Sequence, residues 1–311
     1  MTTNGAAKAA IAVTIVVGGL AASGGAIAAA GSSRSAALQS NRVAAMVTGR
    51  SAVSEMAIYA DDRPDVFARA ASMRDALGFA KGATRKGRHV ADGLQNSTYD
   101  EVAEVDAAGQ PLSLAQFDGS GRLLAAVRFD APSRNGSGIS GDEAVKTAQR
   151  GLTSAGYAPN GRARAQANEA AGGWDVHWDR AQGGFRVRGD ELSVHVWQDG
   201  RIQSVARVEH ELAAAPARTI AQDQARSVVT TRCGSWFQGN DSGFSVQSME
   251  LEWVGPNAAF DPAKMDLATE PYRLAWVANV KPSGRAADSL RLVTLYVDAA
   301  DGSVIGGDVV E

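Results

Sequence analysis

The sequence predicts an α+β protein: an N-terminal apolar helix, a small domain of helix plus antiparallel meander, then two tandem modules in which a helix packs on an antiparallel sheet. Three observations predict this. Polar and apolar residues alternate with a period of two through Tyr99–Asp130 and again through Trp174–Val208, the pattern of half-buried strands. Turn signals punctuate those runs at Asp106–Gly109, Asp118–Gly121, Gly183-Gly184 and Asp199-Gly200. After residue 139 the order of capping signal, helix, strand and Asp-Gly hairpin occurs twice.

Composition narrows the classes of function. The 311 residues are 45% hydrophobic, enough for a real core and about two domains by length. A net charge of −3 creates no basic field, so nucleic acid is not an expected partner. The single cysteine, Cys233, has no second thiol with which to form a disulfide, a redox pair or a zinc site, and it reads as a core or loop thiol.

In chain order, residues 1–32 hold the uncharged run Ala9–Gly31 behind Lys8. That run is long enough to cross a bilayer as a helix, and its small-x-small sites at Ala26-Ile27-Ala28 and Ala28-Ala29-Ala30 suit a cleavable signal peptide. Either reading places the protein outside the cytoplasm, membrane-anchored through residues 9–31 or secreted. Residues 33–131 are read as a helical segment plus a β-meander domain. Val43, Met46, Val47, Val53 and Ala57 extend helical spacing to about Ala60, and Asp61-Asp62-Arg63-Pro64 breaks it. A second helix is signalled by Asp62 as N-cap, Pro64 in the first turn, the stripe Val66, Ala70, Met73 and Leu77, and Gly78 as the stop. Lys81–His89 reads as a solvated basic loop, because no aromatic residues interleave its Lys81, Arg85, Lys86 and Arg88. Three strands follow at Tyr99–Val105, Leu112–Phe117 and Leu123–Phe129.

Pro132–Gly138 is a linker by composition. The first module, 139–210, begins with Ser140 and Glu143 as a capping box. The second, 219–311, begins with Thr219 and Gln222 as another, and the two join at about Glu211–Arg218. Trp174–Trp178 corresponds to Tyr272–Val277, and the hairpin Val194–Ile202 corresponds to Leu295–Ile305.

The spacing Gly184-x-x-Val187-x-Gly189-x-x-Leu192-x-Val194-x-Val196-x-x-x-Gly200-x-Ile202, with the ending Leu295–Ile305, resembles the PepSY and related propeptide modules found ahead of thermolysin-like peptidases. The resemblance covers about the last half of the chain, and no peptidase domain follows. It implies a helix on an antiparallel sheet and a role as inhibitor or folding chaperone of a separate peptidase. The second copy departs from the pattern, carrying Lys281-Pro282-Ser283-Gly284 where the Gly-x-x-Val-x-Gly element would lie.

Motifs with chemical meaning are weak. Gly136-x-Gly138-x-x-Gly141 matches a dinucleotide fingerprint as a string but lacks the preceding strand and the βαβ unit. His210-Glu211 starts like a zinc helix, yet Ala214 stands where the second histidine is needed. His177, with Asp175 and Asp179 on its strand face and His195 from a nearby strand, composes a metal or pH-sensing cluster on one reading and a solvated polar sheet face on the other, favoured one. Asp298, Asp301 and Gly302 read as a hairpin turn rather than a calcium loop.

With no cofactor, metal or catalytic set expected, the sequence points to a non-enzymatic envelope protein that binds a peptide segment or protein partner, regulating or inhibiting a separate peptidase. The expected contact is Phe185, Arg186, Val187 and Arg188, where glycines permit strand addition and the arginines favour a carboxylate-bearing partner. The alternative is a structural subunit of an envelope or appendage assembly built through the N-terminal apolar helix.

Overall fold

A computed structural model describes residues 53–59, 63–92, 97–133, 138–237, 241–257 and 270–310. The expected apolar helix, its cleavage sites and the helical segment up to residue 52 lie outside these residues. Among the described residues no helix is long and apolar enough to cross a membrane. They form a mixed α and β chain in two units, the first comprising residues 53–178 and 192–207, the second residues 179–191 and 208–310.

In the first unit the strands are β1 (Val53–Tyr59), β2 (Thr84–Asp92), β3 (Ser97–Val105), β4 (Pro111–Asp118), β5 (Leu123–Arg128), β6 (Arg164–Asn168) and β9 (Ile202–Val208), with parts of β7 (Gly173–Gln182) and β8 (Phe185–Trp197). The order β1-β2-β3-β4-β5-β9-β8 is extended by β7, which pairs with β8, and by β6, which pairs with β7. The meander β3-β4-β5 matches the alternation read from the sequence, and its turns form as expected: Gly109 and Gly121 adopt positive φ of 81° and 79°, which glycine accepts without strain.

Two elements before the meander differ from expectation. Val53–Tyr59 is a strand, not the end of a helix, and it pairs with β2 from Met56↔Val90 to Tyr59↔Gly87. The run Val-Ser-Glu-Met-Ala-Ile-Tyr satisfies both periods, and in so short a segment the available partner edge decides. The basic loop is also a strand. Three of its residues lie directly opposite carboxylates of β3, with Arg85 across from Glu104, Arg88 from Glu101 and His89 from Asp100. Cross-strand pairs of opposite charge stabilise a sheet, so Arg85 and Arg88 find their counter-charges within the fold.

α1 (Pro64–Leu77) packs Val66, Ala70, Met73 and Leu77 onto this sheet and stops at Gly78, which adopts the left-handed conformation at φ 68°. Two arginines fix its ends. Arg63 donates to Asp100 at 3.1 Å, and Arg74 to the buried Glu104 at 2.8 Å. Asp62 lies outside the described residues, and Arg63 occupies the N-cap position with no side-chain cap. α2 (Gly141–Ser154) starts with the expected capping box, in which Ser140 Oγ accepts from the Glu143 N–H and Glu143 accepts from the Ser140 N–H at 2.8 Å. Ala144, Ala148 and Leu152 of α2 join Val66, Met73, Leu77, Phe117, Leu123, Val176, Trp178, Val194 and Val205 in one cluster. Residues 63–131, 139–178 and 192–207 thus bury their apolar faces in a common core.

In the second unit the first part of β8 pairs in parallel with β10 (Ser242–Val254), and β10, β11 (Arg273–Gly284), β12 (Leu292–Asp298) and β13 (Val304–Val310) continue antiparallel. α3 (Gln222–Trp236) lays Ala225, Val229 and Cys233 on Met249, Ala278, Val280, Val293, Leu295 and Val297. The capping box expected at Thr219 and Gln222 does not form. Ala221 is the N-cap without a side-chain bond, and Gln222 instead donates to the Met249 carbonyl at 3.1 Å.

The helix starts are nevertheless built alike. Before α2, the Ile139 N–H donates to the Gln198 carbonyl at 3.0 Å, and the Ile139 carbonyl accepts from the Trp174 indole at 2.9 Å. Before α3, the Ile220 N–H donates to the Ala299 carbonyl at 2.8 Å, and the Ile220 carbonyl accepts from the Trp276 indole at 3.1 Å. Gln198 and Ala299 each begin the Asp-Gly turn of a hairpin, so each helix is clasped between one tryptophan and one turn. Three buried residues at spacing four follow in each helix: Ala144, Ala148, Leu152 and Ala225, Val229, Cys233.

Candidate functional site

The residues expected to contact a partner lie together on the second unit's part of β8, and they are engaged there. Val187 is 0% exposed and pairs across the ladder with Trp253, while Arg186 pairs with Glu252. The sheet edge on which strand addition was expected is therefore occupied by the chain's own β10, a parallel pairing that no local signal announces. Phe185 packs against the cluster of Val187, Trp253, Leu274 and Ala299. Arg186 reaches Asp179 at 3.3 Å and remains partly exposed. Arg188 does not face solvent: its Nε donates to Glu252 at 2.9 Å, and its guanidinium lies 5.7 Å from the centroid of Tyr296.

Tyr296 in turn donates its hydroxyl to Asp308. Burial, reinforced by Asp308, pushes the Tyr296 hydroxyl far above its ordinary value against the opposing pull of Arg188. Burial works against the charge of Arg188, but Tyr296, Glu252 and Asp308 hold its pKa raised on balance. The group is a paired ionic network with every named member engaged. Removing one partner of such a pair strands the other charge, so Arg188 holds β8 to β10 rather than displaying a cation.

The histidine cluster separates in a similar way. His195 is only 7% exposed, and its Nδ1 pairs with Asp175 at 2.6 Å, so the solvated-face reading is corrected for this residue. Asn168 donates a second bond to Asp175 at 2.8 Å. Burial raises the Asp175 pKa, but the bond to His195, its charge, the Asn168 bond and the His177 charge together bring it below the ordinary carboxylate value. Trp174, Trp178 and Val194 face the core as expected. Asp179 belongs to the second unit and is engaged by Arg186. Among the described residues no three His, Cys, Asp or Glu side chains come together to hold a metal ion.

Other motifs resolve into structure. His210 is not on a helix; its Nδ1 pairs with Asp190 at 2.5 Å, its N–H donates to the same carboxylate, and its ring stacks on Tyr272 at 4.3 Å. Gly141 is the first residue of α2, where an added Cβ would lie 3.0 Å from the Trp174 ring, and Gly136 of the same string is outside the described residues. Cys233 is buried, which pushes its thiol up to about 11, an unreactive state. Asp298 and Gly302 close the β12–β13 turn, as read from the sequence.

The feature that the sequence reading missed is the outer edge of β13, which among the described residues pairs as a strand with β12 alone. Asn257 occupies part of that edge as a strand would. Its N–H donates to the Ile305 carbonyl, its side-chain amide donates to the Gly307 carbonyl, and its side-chain oxygen accepts from the Gly307 N–H, each at 3.0 Å. Outward-facing backbone groups alternate along an antiparallel edge strand, so two residues on from Gly307 it is Val309 that points its N–H and carbonyl outward. Val309 is also 44% exposed, an unusually open large apolar side chain among the described residues. The sequence signal was Gly306-Gly307: an added Cβ at Gly306 would lie 2.7 Å from the Asn257 amide. Two small cavities of the first unit, one beside Met73 and Phe79 and one beside Arg69 and Asp118, hold about 10 and 70 Å³.

Compared with known proteins, the chain matches no family model, and no curated protein matches it. Among solved structures it is similar to a crystal structure of an uncharacterized protein from Eubacterium rectale ATCC 33656, at 10% identity and a TM-score of 0.37, over 79% of this chain and 82% of that one.

Proposed function

We propose that this protein is a non-enzymatic, extracytoplasmic binding protein that receives an extended segment of another envelope protein as an added strand on β13. The observation that carries the reading is Val309, whose backbone donor and acceptor face outward beside an exposed apolar side chain. Strand addition needs those two features: main-chain bonds for affinity and an alternate side chain for specificity. Asn257 shows that this edge accepts strand-like pairing two residues earlier. The resemblance to PepSY modules makes a separate peptidase the first partner to test, and the apolar run Ala9–Gly31 supports export.

The test is affinity capture from an envelope fraction with the wild type, Val309→Pro and Arg186→Glu. Proline removes the outward N–H and is compatible with an exposed edge strand. Loss of captured protein at least tenfold with Val309→Pro, and no change with Arg186→Glu, is expected. Equal capture by all three excludes the β13 edge, and selective loss with Arg186→Glu moves the site back to β8.

A further inference from the structure

The first unit leaves a different edge open, at β6, and the chemistry around it is sorted by sign. Among the described residues β6 pairs with β7 alone, in register from Arg164↔His177 to Asn168↔Gly173. Its residues Arg164, Ala165, Gln166 and Ala167 are all exposed. Flat unpaired edges of this kind are templates for another strand.

α2 packs beside β6 and runs the other way. Gly141, at its start, lies against Trp174, which pairs with Ala167 near the end of β6. The chain from Ala155 to Ala163 then leads from the end of α2 to the start of β6. One end of this helix–strand pair therefore carries Asp142 and Glu143 of α2 and Glu169 just past β6. The other carries Arg150 of α2 with Arg162 and Arg164 at the start of β6. All six side chains belong to exposed residues.

We propose that β6 pairs antiparallel with β6 of a second copy of this chain about a two-fold axis near Gln166. A two-fold brings the same patch from both copies together in opposite directions. The basic end of one copy then meets the acidic end of the other at both ends of the interface, where cross-strand opposite charges are favourable and like charges unfavourable. The pairing closes both open edges at once. A partner of uniform charge would meet one end of the patch with like charge, so the dipolar sorting selects a second copy. This inference stands apart from strand addition at β13, which uses a different strand in the other unit.

The experiment uses the full chain in detergent, with mass read by light scattering at tens of micromolar. Arg162→Glu with Arg164→Glu turns the basic end acidic apart from Arg150, and Asp142→Arg with Glu169→Arg turns the acidic end basic apart from Glu143. The wild type should be a dimer and each variant a monomer, while an equimolar mixture of the two variants should restore the dimer, since every opposed pair is then complementary. A monomeric wild type, a dimer indifferent to both variants, or a mixture that stays monomeric would each overturn the proposal. If a charge variant fails to fold, Gln166→Cys decides: mild oxidation should link two copies, because the residue faces itself across the axis, whereas Ser154→Cys should not. Equal linking of the two, or none with Gln166→Cys, rejects β6 pairing.

Discussion

At the start of α2, Ile139 is held by the Trp174 indole and the Gln198 carbonyl; at the start of α3, Ile220 is held by the Trp276 indole and the Ala299 carbonyl. The first helix adds a side-chain capping box to this clasp and the second adds none. Deeper in, α2 buries Leu152 where α3 buries Cys233, eight residues after Ala144 and Ala225 respectively. The difference teaches that the position of each helix on its sheet is set by the clasp of tryptophan and turn, while local capping and core volume vary around it. A helix fixed by tertiary bonds can do without its own start signal.

Substitutions at matched positions can break or sharpen this equivalence, with hydrogen exchange read separately in each unit. The largest asymmetry should lie in the core. Leu152→Ala is expected to cost about 2–5 kcal/mol in the first unit, since it removes a fully buried branched side chain. Cys233→Ala, which removes a single sulfur, should cost the second unit about 1 kcal/mol. Equal losses would mean that the two helices do not bury corresponding depths.

Next come the tryptophans, where the two units should respond alike. Trp174→Phe and Trp276→Phe each remove an indole donor from an isoleucine carbonyl, and each should lower the stability of its own unit by about 1–3 kcal/mol. An effect in one unit only would show that the clasp is shared in geometry but not in energy. The caps should again differ: Ser140→Ala is expected to cost about 1 kcal/mol, while Thr219→Ala should change stability by no more than about 0.5 kcal/mol.

The smallest effect should be the pH response of Asp175 in the first unit. Its folded pKa is lowered, so its contribution is complete above its ordinary value of 3.8 and fades as pH falls through the lower folded value. Acid titration of the first unit's stability should therefore show a step below pH 3.8 that Asp175→Asn removes. A step of unchanged size in that variant would assign the acid response to other carboxylates.

The sequence made the meander legible through its period-two runs and its turn signals, although β4 and β5 bury both faces: Val102, Ala115, Phe117 and Leu123 join one cluster and Leu114, Ala125 and Val127 another. It hid β2 because Arg85, Lys86 and Arg88 look like a solvated run until Glu104 and Glu101 of β3 are seen to face Arg85 and Arg88; Thr-Tyr-Asp-Glu-Val-Ala-Glu held the missing half of that pattern. It hid the parallel pairing of β8 with β10 because Arg186 and Glu252 are far apart in the chain and local periodicity carries no information about which strand fills an edge. The expected contact at Phe185–Arg188 was placed on a strand that is structured as read, but with its edge already filled. The open edge at Val309 was invisible for the converse reason, since an edge strand and an inner strand share the same alternation.

The tip of the β7–β8 hairpin, Asp179–Glu191, belongs to the second unit although the chain on both sides of it belongs to the first. Translation releases the chain from its N-terminus, and domains ordinarily condense as their last residues emerge. Here the first unit can be completed only when Ala206 reaches β5, and by then the tip has already been made without the strand it pairs with. Phe185 and Val187 stay uncovered until Trp253 has been synthesised. The nascent protein thus carries Phe185 and Val187 on an unfinished hairpin throughout that interval, an exposure that two consecutively encoded domains would not impose.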